Sequence, residues 1–310
     1  MLKRTLFFGC FILTLNYTSL VLASGPAEQP YGAGPDAAAA ADLDENAVIQ
    51  WIRDKGFDPA NLAKSDENKR TVLTAAAMKG RVDVLEWLHG RGANLNWADE
   101  KGRTALTAAA NYGKTDVLEW LCKHKVDLNQ PDKRGYTALT VAAVNGKIDV
   151  LEWLCRHKVD LNQRDKNGFT ALTAAAVMSG IDSPLSVGVF KWLKDKGVVL
   201  DDNDGKGRTA LTVAAAQGGV GALEWLKGQG VSLDQPDKRG FTAFTAAAAD
   251  GHVNVLEWLK DQGVMFDLES EDGRIACMMA FMKRNFNVLR WFEKELELLE
   301  KQKFDFDQPD

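Results

Sequence analysis

Apolar positions in this chain fall in two short clusters that recur together at a fixed interval. Residues 97–129, WADEKGRTALTAAANYGKTDVLEWLCKHKVDLN, show one full interval. The stretch from Asp99 to Gly102 carries turn chemistry, with glycine supplying a positive φ. Thr104 then stands where a helix N-cap belongs, its hydroxyl able to accept an otherwise unbonded backbone N–H. Leu106, Ala109 and Ala110 give a short first helix a narrow apolar face, and the small side chains allow close approach to neighbours. Gly113 breaks the chain, and Asp116 opens a second helix at the end where a carboxylate suits the helix dipole. Val117, Leu118, Trp120 and Leu121 place a broad apolar face on that helix at three- and four-residue spacing. The pattern predicts a turn followed by a helical hairpin.

The hairpin repeats. Trp87, Trp120, Trp153, Trp192, Trp225, Trp258 and Trp291 follow one another at steps of 33, 33, 39, 33, 33 and 33 residues. The motif around Thr104 returns as GYTALTVAA from Gly135, GFTALTAAA from Gly168, GRTALTVAA from Gly207 and GFTAFTAAA from Gly240. A period of this size marks stacked units that bury one another's apolar faces and present a long surface rather than an enclosed pocket. In-register tryptophans are therefore expected in the core, not as a ladder for sugars or cations. The 39-residue step places six extra residues in the inter-helix turn between Val177 and Phe190. Lys125 and Lys158 stand where Gly92, Gly197, Gly230 and Gly263 end their second helices, so a left-handed, strained conformation is expected at both.

In period, turn, cap and helix faces, residues 44–310 resemble the ankyrin repeat, with its T-P-L-H-x-A signature. The resemblance implies an all-α solenoid of about seven helix-turn-helix units with short β-turn tips, an N-terminal half-repeat cap and an extended C-terminal helix. The cap spans 44–63, and the units span 64–96, 97–129, 130–162, 163–201, 202–234, 235–267 and 268–310. Ala105, Ala138, Ala171, Ala210 and Ala243 replace the signature proline. Thr107, Thr140, Thr173, Thr212 and Thr245 replace its histidine, which in the family bonds backbone of neighbouring loops, so a threonine ladder has to do part of that work. A polar-faced terminal unit is expected at the C-terminal end, where the highly charged EKELELLEKQK closes the last helix.

The first 23 residues differ. Lys3 and Arg4 precede LFFGCFILTLNYTSLVLA, which reads as a secretory signal peptide, or as a membrane anchor if it stays uncleaved. Residues 24–43, rich in Ala, Gly and Pro, read as a flexible linker. A secreted or periplasmic protein is the expectation. A formal net charge of -5 with no block of like charge argues against nucleic acid as partner.

Catalytic chemistry finds little footing. Cys122-x-His124 and Cys155-x-His157 suggest zinc, but residues two apart on a helix face different ways, and the other units carry Lys, Arg or Gln at those places. A disulfide between the two cysteines is equally unfavoured, since adjacent units stand too far apart. Thiols exposed in this way fit an oxidising compartment poorly, unless they pair between molecules or the protein ends somewhere reducing. Cys277, at a core leucine position, is expected to be inert. No cofactor, metal or catalytic residue is expected.

In the resembled family, partners meet the turn tips and the first helices along the concave side. The tip positions here are Arg103, Lys133, Arg134, Tyr136, Lys166, Phe169, Arg208, Lys238, Arg239 and Phe241. They form a basic row with three exposed aromatics, the composition of binding anchors. The expected function is a non-catalytic scaffold for another protein with an acidic or mixed acidic-apolar surface. The alternative is a secreted effector that inhibits or recruits an enzyme in another cell.

Overall fold

The computed structural model describes residues 44–62, 64–178, 184–264 and 267–306. The signal and linker readings lie outside them. Among the described residues there are fifteen helices and no strand, and no helix is long and apolar enough to cross a membrane. The half-repeat is α1 (Glu45–Asp54) alone. Seven first helices follow: α2 (Val72–Lys79), α4 (Ala105–Tyr112), α6 (Ala138–Val144), α8 (Ala171–Val177), α10 (Ala210–Ala216), α12 (Ala243–Asp250) and α14 (Glu271–Met282). Each is followed by its second helix: α3 (Val82–Gly90), α5 (Thr115–Lys123), α7 (Ile148–Arg156), α9 (Pro184–Asp195), α11 (Val220–Gly228), α13 (Val253–Asp261) and α15 (Phe286–Phe306).

Thr104 caps α4 as the sequence predicts, accepting from the Thr107 N–H, while the Thr107 hydroxyl accepts from the Thr104 N–H. The same reciprocal threonine box opens α6, α8, α10 and α12. The threonine ladder also reaches outward. Thr212 Oγ1 donates to Asp237 Oδ2 of the next unit at 3.2 Å, and Thr107 to Asp132 at 3.4 Å. Neighbouring tips are further tied by single backbone bonds, such as Lys133 N–H to Gly102 O at 2.9 Å and Lys238 N–H to Gly207 O at 2.9 Å. The glycines at these tips hold the left-handed conformation that the turns require, φ 80° at Gly102 and 91° at Gly135.

Alanine-sided first helices pack closely along the stack, whereas second helices touch their neighbours more sparsely. The difference in spacing bends the array toward the first helices, which become the concave side. Leu85, Leu118, Leu151, Phe190, Leu223 and Leu256 are 0 % exposed beneath the second helices. Each contributes about 1.5–3 kcal/mol.

The tryptophans divide into two sets. Trp87, Trp120, Trp153 and Trp291 are buried, while Trp51, Trp192, Trp225 and Trp258 are half-buried. Over three of the buried indoles lies a cation or ring from four positions later. Arg91 lies 3.7 Å over Trp87, and His124 and His157 lie 4.1 and 3.8 Å from the rings of Trp120 and Trp153. Over half-buried Trp192 the Lys196 ammonium stands off at 5.6 Å, and Trp225 and Trp258 have glutamine at the same spacing. His124 is thereby half-buried, while His157, though stacked on its indole, is exposed as its alignment with polar residues in other units implied. At four junctions the side chain two past one tryptophan reaches the one four past the next. Lys227 Nζ donates to Gln262 Oε1 at 2.6 Å, Lys260 bonds Glu295 at 2.5 Å, and the His89 and His124 rings stand 4.5 Å apart.

Three expectations need correction. The inter-helix insertion is partly helix, since α9 begins eight residues before its tryptophan where α7 begins five before; residues 179–183 lie outside the described ones. Cys122 and Cys155 are free but half-buried, not exposed. The last unit is not polar-faced: Met278, Phe281, Met282 and Phe286 are 53–68 % exposed. Cys277 is half-buried, and burial raises its thiol pKa, which keeps it protonated.

Lys125 and Lys158 do sit in the left-handed region, at φ 59° and 61°. Lys125→Gly relieves that strain and is expected to raise stability by about 1 kcal/mol. A thermal melt checks it, and a lowered midpoint contradicts the strain argument.

Candidate interaction groove

Each tip closes on an aspartate. Asp99 N–H bonds Arg103 O at 2.8 Å, and Asp99 Oδ1 accepts from the Lys101 and Arg103 N–H groups at 3.0 and 2.9 Å. Its second oxygen meets an arginine. Arg70–Asp66, Arg103–Asp99 and Arg208–Asp204 pair over four residues at 2.5, 2.7 and 2.6 Å. Where an aromatic residue takes the arginine's place, the cation moves two positions back: Arg134–Asp132 at 2.7 Å and Arg239–Asp237 at 2.6 Å. The basic row read from the sequence is therefore half neutralised. Arg103, Arg134, Arg208 and Arg239 are structural partners of nearly buried carboxylates, which leaves exposed Lys133, Lys166 and Lys238 as the charge offered outward.

Tyr136, Phe169 and Phe241 are half-buried rather than exposed, because guanidinium groups cover them. Arg134 lies 5.3 Å over the Tyr136 ring, Arg208 4.2 Å over Phe169 and Arg239 4.9 Å over Phe241. These lids wall a groove on the first-helix side. One stretch of about 220 Å³ is lined by Tyr136, Val141, Val144 and Phe169, with Asn111 and Asn145 opposite the tips. A second of about 320 Å³ is lined by Val213, Ala246, Phe241 and Met279, with Gln217, Asp250 and Lys283 on its far side. Phe169 and Val177 line both, so the depressions join. Of the ten sequence-selected residues, Arg134, Tyr136, Phe169, Arg208, Arg239 and Phe241 line the groove, while Arg103, Lys133, Lys166 and Lys238 stand on the tips beside it. The sequence reading missed the floor. Its signal is the valine at 141, 144, 177 and 213, where most other units carry alanine or asparagine and the first and last carry methionine.

Asp165 departs from the pattern. Its unit carries Asn167 and Phe169 where the others supply an arginine, and its buried Oδ2 has no hydrogen-bond partner. Burial raises its pKa, offset in part by the Phe169 and Asn167 N–H groups on Oδ1. A raised native value means that folding favours the protonated form. Stability should therefore fall as pH rises from the ordinary 3.8 through the native value. Asn167→Arg copies the Asp132–Arg134 arrangement, and we expect about 1–2 kcal/mol of stabilisation at neutral pH. The paired carboxylate would also reverse the local pH slope, which urea melts at several pH values will read. Lower stability at neutral pH would show that position 167 cannot place the cation.

Among the described residues no group of three or more His, Cys, Asp or Glu side chains is placed to hold a metal. No match was found among curated proteins. A family model described as ankyrin repeats (3 copies) matches residues 37–132, 125–204, 185–270 and 211–301. Ankyrin repeats are in general protein–protein interaction modules, typically without catalytic activity of their own. With matches spanning most of its length and stacked helical hairpins throughout, the chain belongs to the ankyrin-repeat family.

Proposed function

We propose that the groove between the tips and the first helices is where this protein binds another protein, without covalent chemistry. The observation that carries the reading is the recurrence of an aromatic ring under a guanidinium lid at one equivalent site in three units, along a continuous apolar floor. Arginine over an aromatic ring supplies a flat, pre-ordered contact that loses little entropy on binding. The tip arginines already hold aspartates, so the charge that steers a partner belongs to Lys133, Lys166 and Lys238. The partner segment that fits carries apolar side chains for the floor and acidic residues alongside for the tips.

Charge reversal of Lys133, Lys166 and Lys238 to Glu tests this. Rim charges act chiefly on association rate, so we expect the on-rate to fall by about tenfold or more at low salt, and the difference to shrink as salt is raised. Unchanged association kinetics for the captured partner would remove the tips from the interface.

A further inference from the structure

The last unit breaks a rule that every inner unit keeps. Thr245 and Ala248 of α12 are 0 % exposed, and so are or nearly are their counterparts along the array. The threonine in this position points toward the following unit, as the Thr212–Asp237 bond shows. In α14 the same two positions carry Met278 and Phe281, 53 and 63 % exposed. Met282, one turn on from Met278, is 68 % exposed, and Phe286 just beyond the helix adds another 65 %. Residues at this spacing share one flank of a helix. The flank on which an inner unit receives its neighbour is thus widened with large apolar side chains and left uncovered by any described residue.

Charge tells what fits there. The flank begins with exposed Glu271, Asp272 beside it and exposed Arg274, whose guanidinium bonds the Glu269 carbonyl, and it is basic past its end, with Lys283 and Arg284 exposed. Lys283 is held by Asp250 at 2.6 Å, and no ion pair of Arg284 is found among the described residues. A second α14 laid antiparallel across this flank sets Glu271 of each copy near Arg284 of the other, with Met278 of both in the centre, each Phe281 one turn out against Arg274 of the other copy, and the helix dipoles opposed. We propose that this flank is a two-fold interface between copies of this chain. The surface is self-complementary, as an isologous interface must be. The inference is independent of the groove, which α14 meets through Met279 and Lys283. Joining two arrays at this end would display two grooves in one particle and favour partners that carry the recognised segment more than once.

Sedimentation of the full chain over a micromolar concentration series is the test. The wild type should be a concentration-dependent dimer, and Phe281→Asp should weaken it by at least about thirtyfold, the effect of losing an anchor. Because position 281 is exposed in the monomer, the variant's thermal midpoint extrapolated to low concentration should match the wild type. Glu271→Arg and Arg284→Glu should each weaken the dimer, and the double variant should restore it. These positions lie at opposite ends of one helix, so only a second copy can bring them together. A wild type that stays monomeric overturns the proposal, as does a dimer indifferent to Phe281→Asp. A monomer destabilised by Phe281→Asp also overturns it, because the chain's own residues would then be covering the flank.

Discussion

Phe190→Ala is expected to lower stability by about 3–5 kcal/mol. Phe190 is 0 % exposed, the largest of the fully buried side chains, and its ring stands 5.8 Å from that of Trp225 in the next unit. It takes a position where Leu85, Leu118, Leu151, Leu223 and Leu256 serve elsewhere, two residues before the tryptophan. Removing the ring opens a cavity between two units, in the one unit whose tip aspartate lacks an arginine. Stability in a stack is a sum of unit terms and nearest-neighbour terms. A loss of this size at one junction should split the single urea transition into two, as the units before and after it unfold separately. Tryptophan fluorescence reads both halves, because indoles lie on each side. Phe190→Leu restores the side chain used elsewhere and should cost less than about 1.5 kcal/mol. A cooperative melt shifted by less than about 1 kcal/mol in Phe190→Ala would mean that the units are not held by this contact.

The second large effect is on binding. Substituting Tyr136, Phe169 and Phe241 together by Ala should weaken the captured partner by about a thousandfold or more, since anchors of this kind are each worth about 2 kcal/mol and their losses do not simply add. The rings are half-buried, so a stability loss of up to about 2 kcal/mol is also expected, and the comparison is made where both proteins are fully folded. The array lengthwise is unchanged by these truncations because they sit on the tips and not between helices. Isothermal titration with the purified partner gives the affinity. Wild-type affinity in the folded triple variant would show that the rings are packing for the arginine lids and nothing more.

How far the sequence carries can be judged residue by residue. The hairpin unit, the Thr104 cap, the positive-φ glycines at the tips and the strained Lys125 and Lys158 are local properties, written in spacing and side-chain type, and each is found where it was expected. The tips were misread because charge was counted without its partner. Arg103 and Arg208 pair four residues back, while Arg134 and Arg239 pair two residues back and free the next position for an aromatic ring. That alternation is visible in the sequence once Asp99, Asp132, Asp165, Asp204 and Asp237 are taken as the fixed point, and so is the missing cation beside Asp165. The indole lids are likewise a plain four-residue spacing. The apolar flank of α14 was obscured by the charged run that follows it. Only a position-by-position alignment with α12, setting Met278 against Thr245 and Phe281 against Ala248, separates the two helices of that unit. The groove floor depends on curvature, which arises from unequal spacing of first and second helices across the whole stack and so has no local signature.

Concave-side recognition is tested most directly by hydrogen exchange on the array with and without its purified partner. Slowed exchange is expected in the tip loops around Asp132–Tyr136, Asp165–Phe169 and Asp237–Phe241 and along the adjoining first helices, with α5, α7, α11 and α13 unchanged. Protection confined to those second helices, with tips exchanging as in the free protein, would contradict it.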